Sequence, residues 1–196
     1  MKKNRFLEKE IHNSFYEHRK LLDSIHSKKF SKKIIDISNI IAKSLKSGGT
    51  IFWCGNGGSA SDSQHLSAEL IGRLKKNRKP LRSISLSSNI AGITCISNDF
   101  GYHKIFSRQL EGLGKKNDVI VCITTSGKSK NIIEALKMAR RKKIKSIGFL
   151  GGNGGTAIQQ ANTSLLIPSK NTARIQEMHI FLGQLICLNV EKILKL

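Results

Sequence analysis

The chain has 196 residues, with 34 Lys and Arg against 13 Asp and Glu, a net charge of +21. Hydrophobic residues make up 39%, too many for a disordered basic tail, and no apolar run approaches the roughly 18 residues of a membrane-spanning helix. Glu8, Lys9 and Glu10 follow the basic start where a secretory signal would be apolar, so a cytoplasmic protein is expected. Along the chain, residues 4–26 and 30–47 read as helices. The second has apolar spacing at Ile34, Ile35, Ile37, Ile40, Ile41 and Leu45, and Gly48-Gly49 ends it. Thr50–Cys54 is a short apolar run stopped by glycine, a buried strand, and a helix follows over 59–75. Ser83–Leu86 is a second strand, with helices over 89–97 and 101–112 behind it. Asp118–Thr124 is the strongest strand signal; 129–142 is helical, Lys145–Leu150 a strand and 154–161 a short helix. Ser164–Pro168 is the last strand, and 172–195 a long final helix.

Strands separated by helices imply βαβ units and a parallel sheet covered on both faces. The expected class is α/β, a three-layer flavodoxin-like sandwich with a five-stranded parallel sheet plus N-terminal helices. One domain over 1–196 is expected, with the helices of 1–47 preceding the sheet and its flanking helices over 50–196. Those first helices have apolar faces that would pack on the core or on a second subunit.

The charge invites nucleic acid or an anionic membrane as partner. The basic residues are spread along the chain, however, and Lys outnumbers Arg, the residue preferred for bidentate readout. The densest runs, Arg73–Arg82 and Lys137–Lys145, fall at helix ends, where cations favour the dipole and solvent. Aromatic residues are 6% and none is interleaved with these runs as a stacking platform requires. A solvated Lys-rich surface is the expectation, with no nucleic-acid or membrane partner. Cys54, Cys95, Cys122 and Cys187 are too far apart in sequence for a zinc knuckle or redox pair and read as reduced thiols, Cys122 and Cys187 in apolar surroundings.

Open parallel sheets bind ligands where strands end and helices begin. Two such junctions stand out. Cys54-Gly55-Asn56-Gly57-Gly58-Ser59 permits tight turns and close backbone approach ahead of a helix. Thr124-Thr125-Ser126-Gly127-Lys128-Ser129 places four hydroxyls in six residues after the best strand, more than helix capping needs, and suits a phosphate. Neither loop has the P-loop or full dinucleotide pattern. His65 and Glu69 are four apart on one helix face, a spacing that serves a metal, a base beside a ligand, or a plain ion pair. Gln176 and Gln184, eight apart in the last helix, are offset by roughly 80° and can face one cavity. His179 reads as a satisfied packing histidine.

The segments CGNGGSASDSQHLSAELIGR (54–73), SNDFGY (97–102), TTSGKSKNI (124–132) and RIQEMHI (174–180) resemble the bacterial phosphoheptose isomerases of the sugar isomerase (SIS) domain family. The resemblance uses four motifs in order over nearly the whole chain. It implies a homotetramer with active sites at subunit interfaces. It also implies conversion of sedoheptulose 7-phosphate to D-glycero-D-manno-heptose 7-phosphate, towards nucleotide-activated heptose for lipopolysaccharide or capsule. Some members bind zinc, so one zinc per subunit is implied. Asn56, Gly57 and Gly58, with Ser59 beside them, match the family's first substrate loop. Asn98 and Asp99 match its Asn-Asp pair, and Thr124, Thr125, Ser126 and Ser129 its phosphate loop, Thr124 standing where Ser is usual. His65, Glu69 and Gln176 match metal or substrate ligands, and Glu69 the catalytic acid/base. Aldose–ketose interconversion moves a proton between adjacent carbons through an enediol, work a carboxylate can do.

One position departs from the pattern. The family's second catalytic histidine falls at Gln184. An amide does not titrate near neutral pH and suits zinc less than imidazole, so Gln184 would be at most a weak fourth metal ligand. This leaves a second reading open, a catalytically impaired SIS module that binds a sugar phosphate or a protein partner. A relative that binds the replication initiator lacks both this histidine and the Glu, whereas Glu69 is present here.

Overall fold

The computed structural model describes residues 2–196, with side chains from residue 4 onward. The elements in chain order are α1 (Lys2–Ile25), α2 (Lys28–Lys46), β1 (Ile51–Gly55), α3 (Gly58–Ile71), β2 (Ser83–Ser85), α4 (Ile90–Phe100), a 3₁₀ turn (Tyr102–Lys104), α5 (Ile105–Leu113), β3 (Val119–Thr124), α6 (Lys130–Arg141), β4 (Lys145–Gly151), α7 (Ala157–Gln160), β5 (Thr163–Ile167) and α8 (Thr172–Leu194). All five strands are parallel, in the order β2-β1-β3-β4-β5.

The apolar run of β3 follows from its central place: every residue from Val119 to Thr124 is buried, as expected of a strand covered on both faces. Val119, Val121 and Ile123 join Trp53, Phe149 and the inner faces of α2, α3 and α8. Ile120 and Cys122 point the other way, into a cluster with Phe52, Cys54, Phe106 of α5 and Ile132, Ala135 and Leu136 of α6. Each fully buried aliphatic side chain here contributes roughly 1.5–3 kcal/mol. Asp118 ties the N-terminal ends of β1 and β3 together: it is 1% exposed, and its carboxylate accepts from Thr50 N at 2.8 Å and Lys115 N at 2.7 Å.

Four expectations need correction. The helix placed over 59–75 stops at Ile71, because Gly72 takes the C-cap and the chain leaves in an extended loop. The helix placed over 101–112 divides into the 3₁₀ turn and α5, and the short helix of 154–161 shrinks to Ala157–Gln160. The run Arg73–Arg82 is not wholly solvated. The Arg78 side chain is 3% exposed and pairs with Glu191 of α8 at 2.8 Å. The same guanidinium donates to the carbonyls of Glu69 and Leu70, both at 2.8 Å, and so caps the end of α3.

Candidate active site

β1 and β3 are adjacent, yet their following helices go to opposite faces, α3 to the side of α8 and α6 to the side of α5. The loops after the two strands therefore diverge and leave a crevice at the topological switch point, the usual ligand position in such sheets. Both predicted junctions end there. In the hydroxyl loop, Gly127 N donates to Thr124 Oγ1 at 3.2 Å, Lys128 N to Ser126 Oγ at 3.1 Å, and the Thr124 and Ser129 hydroxyls lie 3.4 Å apart. Ser129 occupies the N-cap of α6 without using its side chain as a cap, so its hydroxyl remains for a ligand. Gly127 is required: its φ is +64°, and a Cβ would lie 2.0 Å from Gly154 O in the loop after β4. That contact braces the loop from below.

The first junction carries Asn56, half-buried, and the exposed Gly57 and Gly58 at the start of α3. Ser59 is 3% exposed, tucked behind Gly55 rather than opened to the crevice. Gln176 reaches Gly58 closely enough that a Cβ there would meet its Nε2 at 2.4 Å. α3 and α8 run side by side because Gly183 has no side chain: a Cβ would sit 2.5 Å from Leu66. This close approach brings the neighbouring His65 and Gln184 together, Nε2 to Nε2 at 3.4 Å, while His65 Nε2 lies 3.1 Å from Glu69 Oε1. The Glu69 side chain is 15% exposed and that of His65 48%. Asn98 and Asp99 are exposed at the end of α4 and bond to each other at 2.8 Å; within the protomer, Tyr102 is the residue of that motif that reaches the crevice, onto Asn56 at 2.9 Å.

The candidate zinc ligands are thus partly gathered. His65, Glu69 and Gln184 adjoin one another, and Gln176 lies one helix end away. Among the described residues no group of three His, Cys, Asp or Glu side chains forms. A metal here would rest on one imidazole, one carboxylate and amide oxygens, with the Gln184 amide turned so that its oxygen faces inward. That donor set fits a divalent metal, more loosely than zinc's usual ligands would.

Four features escaped the sequence reading. Asn131 bonds reciprocally with Asn56 across the crevice, a role that spacing cannot show for residues 75 apart. Asp62, one turn before His65 on α3, has a buried Oδ2 with no partner; burial pushes its carboxyl up to about 6, with the nearby His65 opposing. Cys54 and Cys122 face each other on adjacent strands with sulfurs 3.5 Å apart, and burial followed by the Cys122 contact raises the Cys54 thiol well above its usual range. His179 is not satisfied: it is fully buried beside Phe149 and neither ring nitrogen has a hydrogen-bond partner. Burial pulls its imidazole down to about 4; the Leu150 backbone offsets this in part without forming a well-aligned bond.

Known proteins share this fold. The SIS domain profile matches residues 15–151. The phosphoheptose isomerase of Nitratiruptor sp. is 41% identical over 177 residues, covering 90% of this chain and 94% of that protein. That of Aquifex aeolicus is 45% identical over 163 residues, 83% and 85% of the two chains. Among solved structures, phosphoheptose isomerase from Neisseria gonorrhoeae superposes with a TM-score of 0.89 at 33% identity, covering 95% of this chain and 99% of that one. The enzyme from Francisella tularensis gives 0.90 at 31%, covering 94% and 97%. With the family profile matched over residues 15–151 and relatives above 40% identity over most of both chains, the chain belongs to the SIS domain family, among the phosphoheptose isomerases.

Proposed function

We propose that this chain is an aldose–ketose isomerase converting sedoheptulose 7-phosphate to D-glycero-D-manno-heptose 7-phosphate. The observation that carries the reading is the Glu69 carboxylate, mostly enclosed and held by His65 at the α3–α8 junction, on the same helix whose N-terminus forms the first substrate loop. Full-length relatives above 40% identity support the same activity and do not favour the impaired binding module.

The substrate's phosphate would sit on the Thr124, Thr125, Ser126 and Ser129 hydroxyls and the free N–H groups at the start of α6, where the helix dipole favours an anion. Asn56 and the Gly57-Gly58 backbone would meet the sugar, with Gln176 beside them and Asn98 and Asp99 completing its surroundings. Glu69 would take the proton from the hydroxyl-bearing carbon next to the carbonyl and return it to the former carbonyl carbon, while the hydroxyl proton passes to the former carbonyl oxygen by way of the enediol. His65 orients that carboxylate. Gln184 can donate or accept a hydrogen bond at an oxygen but cannot exchange a proton near neutral pH, so Glu69 bears the carbon-to-carbon transfer. Zinc, if bound by His65 and Glu69 with Gln176 and Gln184, would polarise the substrate oxygens as a Lewis acid.

The wider setting belongs to the same reading: a step toward lipopolysaccharide or capsule heptose in the cytoplasm. No helix among the described residues is long and apolar enough to cross a membrane. A homotetramer is favoured by apolar side chains left open on the protomer, Phe6, Ile11 and Phe15 of α1 at 63%, 57% and 74% exposure and Ile90 of α4 at 75%. Turnover of sedoheptulose 7-phosphate, abolished by Glu69→Gln, is the expected result. No turnover at saturating substrate with added zinc would overturn the reading.

A further inference from the structure

Asn56 is held by three hydrogen bonds that together decide what it can offer a ligand. Its Nδ2 donates to Asn131 Oδ1 at 3.0 Å, and Asn131 Nδ2 donates back to Asn56 Oδ1 at 2.7 Å. The Tyr102 hydroxyl donates to the same Asn56 Oδ1 at 2.9 Å. Asn131 is 3% exposed, and its Oδ1 also accepts from Ile132 N at 2.9 Å, so its amide cannot turn over without losing a backbone bond. An Asn side chain has two acceptor sites and two donors. Here both acceptor sites and one donor are already engaged, and one N–H is left.

We infer that Asn131 and Tyr102 are positioning residues that saturate the Asn56 amide oxygen, so that Asn56 faces the crevice only as a hydrogen-bond donor, to a hydroxyl or carbonyl oxygen of the sugar. The inference rests on the isomerase reading and deepens it. Asn131 is the second residue of α6, directly behind the hydroxyl loop, and Asn56 begins the other loop. The amide pair therefore ties the site for the phosphate to the site for the sugar and sets their spacing. Tyr102 extends the tie to the Asn98-Asp99 motif. The residue is 55% exposed, so its hydroxyl can be removed with little effect on the fold.

The test compares kcat/KM for sedoheptulose 7-phosphate with inhibition by inorganic phosphate, which needs only the hydroxyl loop. Tyr102→Phe should lower kcat/KM by about two- to tenfold, the range for one net hydrogen bond, and leave phosphate inhibition unchanged. Asn131→Asp should cost more at neutral pH, because a carboxylate oxygen replaces the N–H aimed at the Asn56 oxygen. Its activity relative to the unmodified protein at the same pH should recover as the pH falls and the acid regains a proton to donate. Because both residues act through Asn56, the double variant Tyr102→Phe/Asn131→Asp should lose less than the product of the single losses. Unchanged kcat/KM in Tyr102→Phe would overturn the inference, even if the Asn131 variant does not fold. A flat relative pH profile for Asn131→Asp would overturn it too. If instead the unmodified protein neither turns over the sugar phosphate nor binds it more tightly than inorganic phosphate, the isomerase reading itself has failed.

Discussion

Replacing Arg78 by Met removes the cation paired with Glu191 and tests whether the α3–α8 frame depends on a buried charge pair. Both side chains are nearly closed off, 3% and 4% exposed, with N and O 2.8 Å apart. The guanidinium also donates to Glu69 O and Leu70 O at 2.8 Å and to Gly72 O at 3.1 Å. Breaking a buried pair from one side strands the other charge and costs about 3–5 kcal/mol. The exposed Gly72 carbonyl can turn to water, so it adds little. A loss of about 4 kcal/mol is a large share of the 5–15 kcal/mol that holds an ordinary domain together. For a chain of this size it lowers the melting temperature by roughly 8–16 °C. Urea titration of Arg78→Met, Glu191→Leu and the pair together is the assay. The double variant should lose clearly less than the summed singles, since no charge remains unpaired, although the Glu69 and Leu70 carbonyls still lack their donor. A loss below about 1 kcal/mol in Arg78→Met, or a double variant as unstable as the summed singles, would refute the buried-pair argument.

His179, with a folded pKa of about 4 against an ordinary value near 6.5, binds its proton more readily in the unfolded chain. Its contribution to stability is therefore present above about 6.5 and lost as the pH falls toward 4, by up to about 3 kcal/mol. The urea midpoint should drop over that window, and His179→Met should flatten the drop. Asp62 works in the opposite sense, because its folded pKa of about 6 lies above its ordinary 3.8; Asp62→Asn should steepen the loss between those values. Gln184→His replaces an amide beside His65 with zinc's preferred ligand, and competition against a chromogenic chelator should show zinc affinity rising at least tenfold; equal affinity would remove Gln184 from the metal site. Phe15→Glu with Ile90→Glu places charge on exposed apolar positions and should shift sedimentation toward smaller species; an unchanged assembly would place the subunit contacts elsewhere.

The central strand was legible because a doubly covered strand must be apolar, and the run 119–123 is. The two ligand loops were legible for the opposite reason: glycine and hydroxyl residues follow apolar runs with no structural need for so many. His65 and Glu69 were legible from their four-residue spacing, which a helix converts into one face. The residues that were missed act across sequence distance. Arg78 looks like its exposed neighbours in RLKKNRKPLR, and what buries it is Glu191, 113 residues away. Asn131 looks like an ordinary first-turn residue until Asn56 is placed opposite. Only Gly183 offered a local signal, a glycine inside an otherwise apolar helix, where a helix gains little from it unless another backbone or side chain must come close.

The charge of +21 and the small set of polar groups in the crevice answer to different physics. The crevice exists because adjacent strands send their helices to opposite faces, so its polar residues are those the two cores could not take. Few of the cations join them; Lys128 and Lys130 flank the hydroxyl loop. The remaining basic residues act at a distance, through a field that salt screens within about 8 Å under physiological conditions. Such a field can raise the local concentration of an anionic sugar phosphate, yet it cannot choose one sugar over another. Selection must come from fixed donors and acceptors, and here the amide pair of Asn56 and Asn131 fixes one of them. Raising the salt concentration should therefore weaken the capture of substrate more than it alters discrimination between sugar phosphates of equal charge.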